Sequence, residues 1–305
     1  MLQGEKLSKG DTIGIVAPAN YVESDKVKYG AAVLRNLGFK VKFGKSCFSK
    51  WYGFAGIDEI RANDINTMFA DDSVDAVLCL RGGYGSIRLL GLIDYNLIKN
   101  NPKLFIGYSD ITSLHLAINK ISGLATLHGP MLVSNMIDDF DELTKKSFLS
   151  IVTGKNNSII NPPDEEMKIL VSGEAQGSII GGNLSLLIAS MGTPYEIDCK
   201  NKLLFIEDIN EYTYKIDKNL NQLKLAGKFA DCVGIILGDF KKGEKQSLDD
   251  FSLMEVFENN FINYKKPVIY NVKSGHCKPM ITIPFGVEYN LNAFENNVSI
   301  NLLET

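Results

Sequence analysis

Lys103-Leu-Phe-Ile-Gly-Tyr-Ser-Asp-Ile-Thr-Ser-Leu-His-Leu-Ala-Ile118 is the stretch that decides how this chain is read. Leu104-Phe-Ile106 is an apolar run of strand type. Beyond Gly107-Tyr-Ser-Asp110 the apolar residues fall at Ile111, Leu114 and Ile118, which is helical spacing. The pattern is strand, sharp turn, helix, with Ser109 at the turn. A serine there raises its hydroxyl above the end of a sheet, with a helix N-terminus behind it. Gly107 supplies the first glycine of a Gly-x-Ser-x-Gly elbow, but Ile111 stands where the second would be. A serine that only caps the helix fits the same residues, so both readings stand at this point.

Working outward, the flanking segments repeat the alternation. Residues 11–19 read as a buried strand ending at Pro18. Residues 24–37 read as a helix stopped by Gly38. A strand over 39–43, a helix over 57–69 and the apolar strand Asp75-Ala-Val-Leu-Cys-Leu80 follow. That last strand leads into Arg81-Gly-Gly-Tyr-Gly85. Continuous apolar strands alternating with helices indicate a parallel sheet covered on both faces. Ligands of such sheets bind at the carboxyl ends of the strands, where both Arg81–Gly85 and Ser109 fall.

From Met136 to Lys168 the chain turns polar and rich in turn residues, with one helix expected near 143–152. We therefore expect an N-terminal α/β domain over 1–150, a linker over 151–172 and a β-rich α+β domain over 173–305. In the second half, Gly173–Gly177 and Gly181-Gly-Asn-Leu-Ser185 precede a helix over 184–191. Lys202-Leu-Leu-Phe-Ile206 is a strong strand ending at Glu207-Asp208, and Val233–Leu237 and Pro267–Asn271 are further strands. Ser274-Gly-His-Cys277 reads as a loop, and the tail from Ile281 to Leu303 as antiparallel strands.

Composition narrows the function. The chain has 305 residues, 45% hydrophobic and 22% charged, with a net charge of −4. Without a basic run, nucleic acid is not the expected partner. The five cysteines are odd in number, scattered and without a C-x-x-C pair, which argues against a disulfide framework and suits a reducing compartment. Residues 1–11 are polar, without the apolar core of a signal peptide, and no apolar run approaches the roughly 18 residues of a membrane span. The expectation is a cytoplasmic protein with no membrane contact.

Three histidines are present. His115 lies within the helix after Ser109 and reads as structural or surface. His128 lies in the Leu127-His-Gly-Pro130 turn and is a crevice candidate. His276 follows a strand in a glycine-containing loop, which suits a general base as well as an exposed loop residue. Glu207 ends a buried strand, where an unpaired carboxylate is costly; it could hold an imidazole in place. Asp208 next to it competes for that role, and either could be a cap. Serine, acid, histidine, each at a strand end, is the chain order of an acyl-transfer triad. No H-E-x-x-H-type spacing suggests a metal.

Gly107-Tyr-Ser-Asp-Ile-Thr112, His128-Gly-Pro-Met131, Gly181-Gly-Asn-Leu-Ser185, Leu204-Phe-Ile-Glu-Asp-Ile-Asn210 and Gly275-His276, with Pro279 and Pro284-Phe-Gly286, occur in one order over nearly the whole chain. Together they closely resemble the LD-carboxypeptidases, the serine peptidase family of muramoyltetrapeptide carboxypeptidases and microcin immunity peptidases. The resemblance implies a flavodoxin-like N-terminal domain, a β-rich C-terminal domain, a homodimer, and no metal or cofactor. It implies Ser109 as nucleophile, Glu207 as acid and His276 as base, assembled across the two domains. It implies oxyanion donors at the backbone amides of Gly82 or Gly83 and of Asp110. Met280 departs from the glutamine commoner in the histidine motif. Arg81 is a candidate partner for a substrate carboxylate, or else a structural ion-pair residue. The activity expected is release of a C-terminal D-amino acid from an L-centre, D-alanine from a murein tetrapeptide. The alternatives are a microcin-type peptidase acting on an acyl-sulfamoyl or aminoacyl-nucleotide conjugate, with Trp51, Tyr52 and Phe54 to stack a purine, and a non-catalytic two-lobed binding protein. A cysteine hydrolase using Cys79 or Cys277 is a further possibility.

Overall fold

A computed structural model describes residues 1–137, 140–155, 158–247, 249–295 and 297–303. The chain divides into two compact units, Met1–Asn156 and Asn157–Thr305.

In the first unit, β1 (Thr12–Val16), β2 (Lys40–Phe43), β3 (Ala76–Cys79), β4 (Leu104–Gly107) and β5 (Thr126–His128) lie in the order β5-β4-β3-β1-β2. Every pairing among these five is parallel. All four residues of β3 and of β4 are buried, as expected of strands covered on both faces. Helix α1 (Ser24–Asn36) presents Val27, Ala31 and Leu34 at helical spacing. With α5 (Leu132–Asn135) and α6 (Glu142–Val152) it shares a core with Ile13, Ile15, Leu78 and Ile106. Each such side chain contributes about 1.5–3 kcal/mol when fully buried. Helix α2 (Asp58–Ala70) packs on the sheet so closely that a methyl group on Gly14 would lie 2.7 Å from Met68 Sδ. Helices α3 (Tyr95–Asn100) and α4 (Thr112–Ala117) follow in order. A 3-10 turn, Ser109–Ile111, leads directly into α4.

The second unit is built on one mixed sheet. Its strands are β6 (Ser158–Ile159), β7 (Lys168–Val171), β8 (Gly173–Asn183), β9 (Lys202–Ile209), β10 (Gly234–Lys241), β11 (Val268–Tyr270), β13 (Glu288–Phe294) and β14 (Asn297–Leu302), in the order β6-β14-β13-β8-β9-β10-β11-β7. A short β12 (Ile283–Phe285) precedes β13. The centre, β8-β9-β10-β11, is parallel, and the flanks are antiparallel. Helices α7 (Leu184–Ser190), α8 (Thr213–Leu225), α9 (Lys228–Asp231) and α10 (Leu253–Phe261) connect the central strands. Ser252 and Glu255 form a reciprocal capping box at the start of α10. Leu203, Phe205, Ile236, Ile269, Phe285 and Leu291 lie in its core.

The stretch expected as a linker, 151–172, holds the end of α6 and the strands β6 and β7. The longest strand, β8, was not anticipated. It carries Gly173, Gly177, Gly181 and Gly182, which weaken a strand signal. The packing explains two of them. A methyl group on Gly177 would lie 2.8 Å from the Asn201 carbonyl, and one on Gly181 would lie 1.8 Å from the Phe205 carbonyl. Among the described residues no helix is long and apolar enough to cross a membrane.

Candidate active site

In the first unit the site begins where β4 ends. Ser109 is a non-glycine residue at φ +63°, the left-handed region that costs an L-residue on the order of 1–3 kcal/mol. The turn is tight because Ile111 folds back over Gly107, where a methyl group would meet the Ile111 side chain at 2.9 Å. This answers the missing second glycine: the residue after Asp110 needs bulk to pack on Gly107. His115, fully buried in α4, donates from Nε2 to the Gly107 carbonyl at 2.8 Å. Burial lowers its pKa to about 4, so it is a neutral core histidine. His128, at the end of β5, is also fully buried, its ring 5.8 Å from that of Tyr108.

The glycine loop after β3 runs alongside. A methyl group on Gly82 would lie 3.3 Å from Ser109 Oγ and 3.5 Å from the Asp110 nitrogen. Gly83 sits at φ +119° against the Asn20 side chain, and Asn20 Oδ1 accepts from the Tyr84 nitrogen at 3.0 Å. Asp110 is buried. Its carboxylate accepts from the Ser86 nitrogen at 2.8 Å, and the Ser86 hydroxyl donates to its carbonyl. Burial raises the Asp110 pKa, opposed by the Ser86 hydrogen bonds. Half-buried Arg81 donates from Nε to the Gly82 carbonyl at 3.2 Å; among the described residues it makes no ion pair.

In the second unit, β9 delivers two adjacent carboxylates to opposite faces of the sheet, because side chains alternate along a strand. Asp208 is committed locally. It accepts from Asn183 Nδ2 at 2.9 Å, from the Ser185 nitrogen and hydroxyl at 3.1 and 2.9 Å, and from the Ile209 nitrogen at 2.8 Å. That network fixes the start of α7, where Asn183 is the N-cap. Glu207 instead accepts from His276 Nδ1 at 2.7 Å. The Glu207 side chain is fully buried and that of His276 is 13% exposed. With Nδ1 protonated toward the carboxylate, Nε2 carries the lone pair that can take a proton. Gly275 makes this contact possible. It sits at φ +117°, and a methyl group there would lie 2.8 Å from Glu207 Oε2. The loop is anchored behind by the Asp239 nitrogen, which donates to the Ser274 carbonyl at 3.0 Å, and by the Ser274 hydroxyl, which donates to the Ile281 carbonyl at 2.8 Å.

The cysteines offer no competing nucleophile. Burial pushes the Cys79 thiol well up and the Cys277 thiol to about 12, so neither is a thiolate near neutrality. Trp51 and Phe54 stack at 5.8 Å, Phe54 meets Tyr84 of the glycine loop at 5.6 Å, and Tyr52 is 82% exposed.

Arg61 was missed in the sequence. It is fully buried and touches both the glycine loop and the strand-end loops. Its signal was present. Arg61 occupies the same helical stripe as Ile65, Met68 and Phe69, a core face where a charged residue is out of place.

The chain matches the family model described as the LD-carboxypeptidase N-terminal domain over residues 13–129 and that of the C-terminal domain over residues 176–291. It is 43% identical to a probable murein peptide carboxypeptidase of Bacillus subtilis, over 96% of this chain and 92% of that one. Among solved structures, a MccF-like protein from Bacillus anthracis superposes with a TM-score of 0.90 at 30% identity, covering 100% of both chains. A muramoyltetrapeptide carboxypeptidase from Oxalobacter formigenes superposes with a TM-score of 0.84 at 26% identity, covering 96% of this chain and 99% of that one.

Proposed function

This chain belongs to the LD-carboxypeptidase family and is a serine-type carboxypeptidase; on that premise we propose that it releases D-alanine from the L-centre of murein tetrapeptides in the cytoplasm, as a homodimer, during cell-wall recycling. Ser109 is the nucleophile, His276 the base and Glu207 the acid that orients it. The observation that carries this assignment is the 2.7 Å Glu207–His276 pair, which leaves Nε2 as proton acceptor.

The steps balance on these residues. Ser109 Oγ attacks the amide carbonyl while His276 Nε2 takes its proton. The negative charge on the former carbonyl oxygen is held by the Asp110 amide and by that of Gly82 or Gly83. One such donor is worth about 10²–10³ in rate. The C–N bond breaks as His276 returns the proton to the leaving D-alanine amine. Water, deprotonated by the same histidine, then adds to the acyl carbonyl; the ester C–Oγ bond breaks and His276 returns the proton to Ser109 Oγ. Arg81 receives the free α-carboxylate that marks a C-terminal residue.

Mass spectrometry of a purified murein tetrapeptide incubated with the protein should show loss of one alanine, abolished in Ser109→Ala. Undiminished turnover by the serine variant ends the proposal. The exposed aromatic group around Trp51 and Tyr52 favours a second reading, cleavage of an aminoacyl-nucleotide conjugate. Side-by-side turnover of the two substrates separates them.

A further inference from the structure

Among the described residues Arg61 heads the largest side chains that are fully buried. A buried guanidinium is expensive unless its donors are met. Here each of its three nitrogens finds an acceptor, four in all, drawn from three segments of the chain. Nη1 donates to the Pro18 carbonyl after β1 at 2.5 Å and to the Gly85 carbonyl after β3 at 3.1 Å. Nε donates to the Gly56 carbonyl ahead of α2 at 3.1 Å. Nη2 pairs with Asp58 Oδ1. Asp58 is held in turn by Arg88, whose Nε and Nη2 reach its carboxylate at 3.0 and 2.7 Å. One planar fork therefore gathers three loops at the carboxyl edge of the first sheet.

One of those connections, together with a neighbouring one, bears on the chemistry. The Gly85 end of the glycine loop hangs from Arg61. The next residue, Ser86, hangs from Asp110, through its nitrogen to the carboxylate and through its hydroxyl to the carbonyl. Gly82 and Gly83 lie on the loop so suspended, and Asp110 follows the nucleophile. The spacing between the loop amides and the Asp110 amide is thus fixed by Arg61 on one side and by Ser86 on the other. Gly85, at φ +133°, has no side chain because one would strike the fork: a methyl group would lie 2.8 Å from Arg61 Nη1 and 2.9 Å from the Phe54 ring.

We propose that Arg61 is the positioning residue of the oxyanion hole, holding the glycine loop at the separation from the Asp110 amide that suits the tetrahedral intermediate. The inference rests on the reading of Ser109 as nucleophile. Lysine cannot replace it, because one ammonium cannot span the four acceptors.

The test compares wild type, Arg61→Lys and Gly85→Ala on a murein tetrapeptide, with folded protein quantified by circular dichroism and thermal melting. It adds inhibition by a phosphonate analogue of the terminal amide, whose tetrahedral oxyanion mimics the intermediate. Displacing the loop by about 1 Å should lower kcat about 10²-fold with KM essentially unchanged. The Ki of the phosphonate should rise by the same factor as kcat/KM falls. A residue that only stabilises the fold would lower the melting temperature and leave kcat per folded enzyme and the phosphonate Ki alone; that result overturns the proposal, as does a parallel rise of KM and Ki. If Arg61→Lys does not fold, Gly85→Ala disturbs the same tether from the loop side and must show the same split. Activity retained in Ser109→Ala would instead sink the nucleophile assignment itself, so the two failures are distinct.

Discussion

Replacing Gly275 with alanine tests the proposed catalytic pair, Glu207 and His276, at its narrowest point. The added methyl group would lie 2.8 Å from Glu207 Oε2 and 3.0 Å from its Cβ and Cγ. Glu207 cannot retreat, since β9 is clamped between β8 and β10, so the histidine loop has to give. Restoring an ordinary contact of about 3.5 Å moves the loop by most of an ångström. That carries the 2.7 Å Glu207–His276 bond past the roughly 3.2 Å limit of an N–H···O hydrogen bond. The φ of +117° adds about 1–3 kcal/mol of backbone strain for a non-glycine residue. A domain of this size loses about 2–4 °C in Tm per kcal/mol, so a drop of several degrees is expected. Turnover should fall about 10²-fold, the effect of misplacing a catalytic group by about 1 Å. D-alanine release coupled to D-amino-acid oxidase, alongside a thermal melt, reads both effects. Wild-type kcat in a folded Gly275→Ala protein would refute the idea that this contact sets the rate.

Three further outcomes follow from the geometry. Ser109→Gly should be more stable than Ser109→Ala by about 0.5–1 kcal/mol, since it relieves the left-handed strain at φ +63°; both should be inactive, and equal denaturation midpoints would contradict the strain. Gly82→Ala should lower turnover without unfolding the protein, because its methyl group would lie 3.2 Å from Ser109 Cβ and 3.3 Å from Oγ; stopped-flow acylation measures it. His115 is neutral when buried, with its folded pKa near 4 and an unfolded value of 6.5. The unfolded chain therefore binds the extra proton between those values, and stability is full above pH 6.5 and falls as the pH drops toward 4. The loss is about 1.4 kcal/mol per pH unit. Urea midpoints across that range should flatten by one proton's slope in His115→Gln, and an unchanged slope would argue against a neutral buried ring.

How far the residues alone carried the reading depended on where the chemistry was local. The parallel first sheet was legible because β3 and β4 are unbroken apolar runs and the pattern changes period at Ser109. The choice between Glu207 and Asp208 was not legible. They are neighbours on one strand, and only the fold decides which face meets the histidine and which meets the α7 cap. β8 escaped because its glycines serve close backbone approach, which composition reads as loop. Arg61 escaped for the opposite reason: a charged side chain on a core stripe looks like an exception until the carbonyls it gathers are in view.

The second sheet also constrains how the protein can be made. β8 pairs along one part with β9 and along the other with β13, and β13 and β14 leave the ribosome long after β8. Until they do, the Gly173–Ser178 half of β8 has an open edge, the kind of surface that recruits other chains. Cotranslational folding of this unit therefore waits on its final hairpin. A chain cut short before Glu288 would expose that edge permanently and should be found in inclusion bodies rather than as a weakened enzyme.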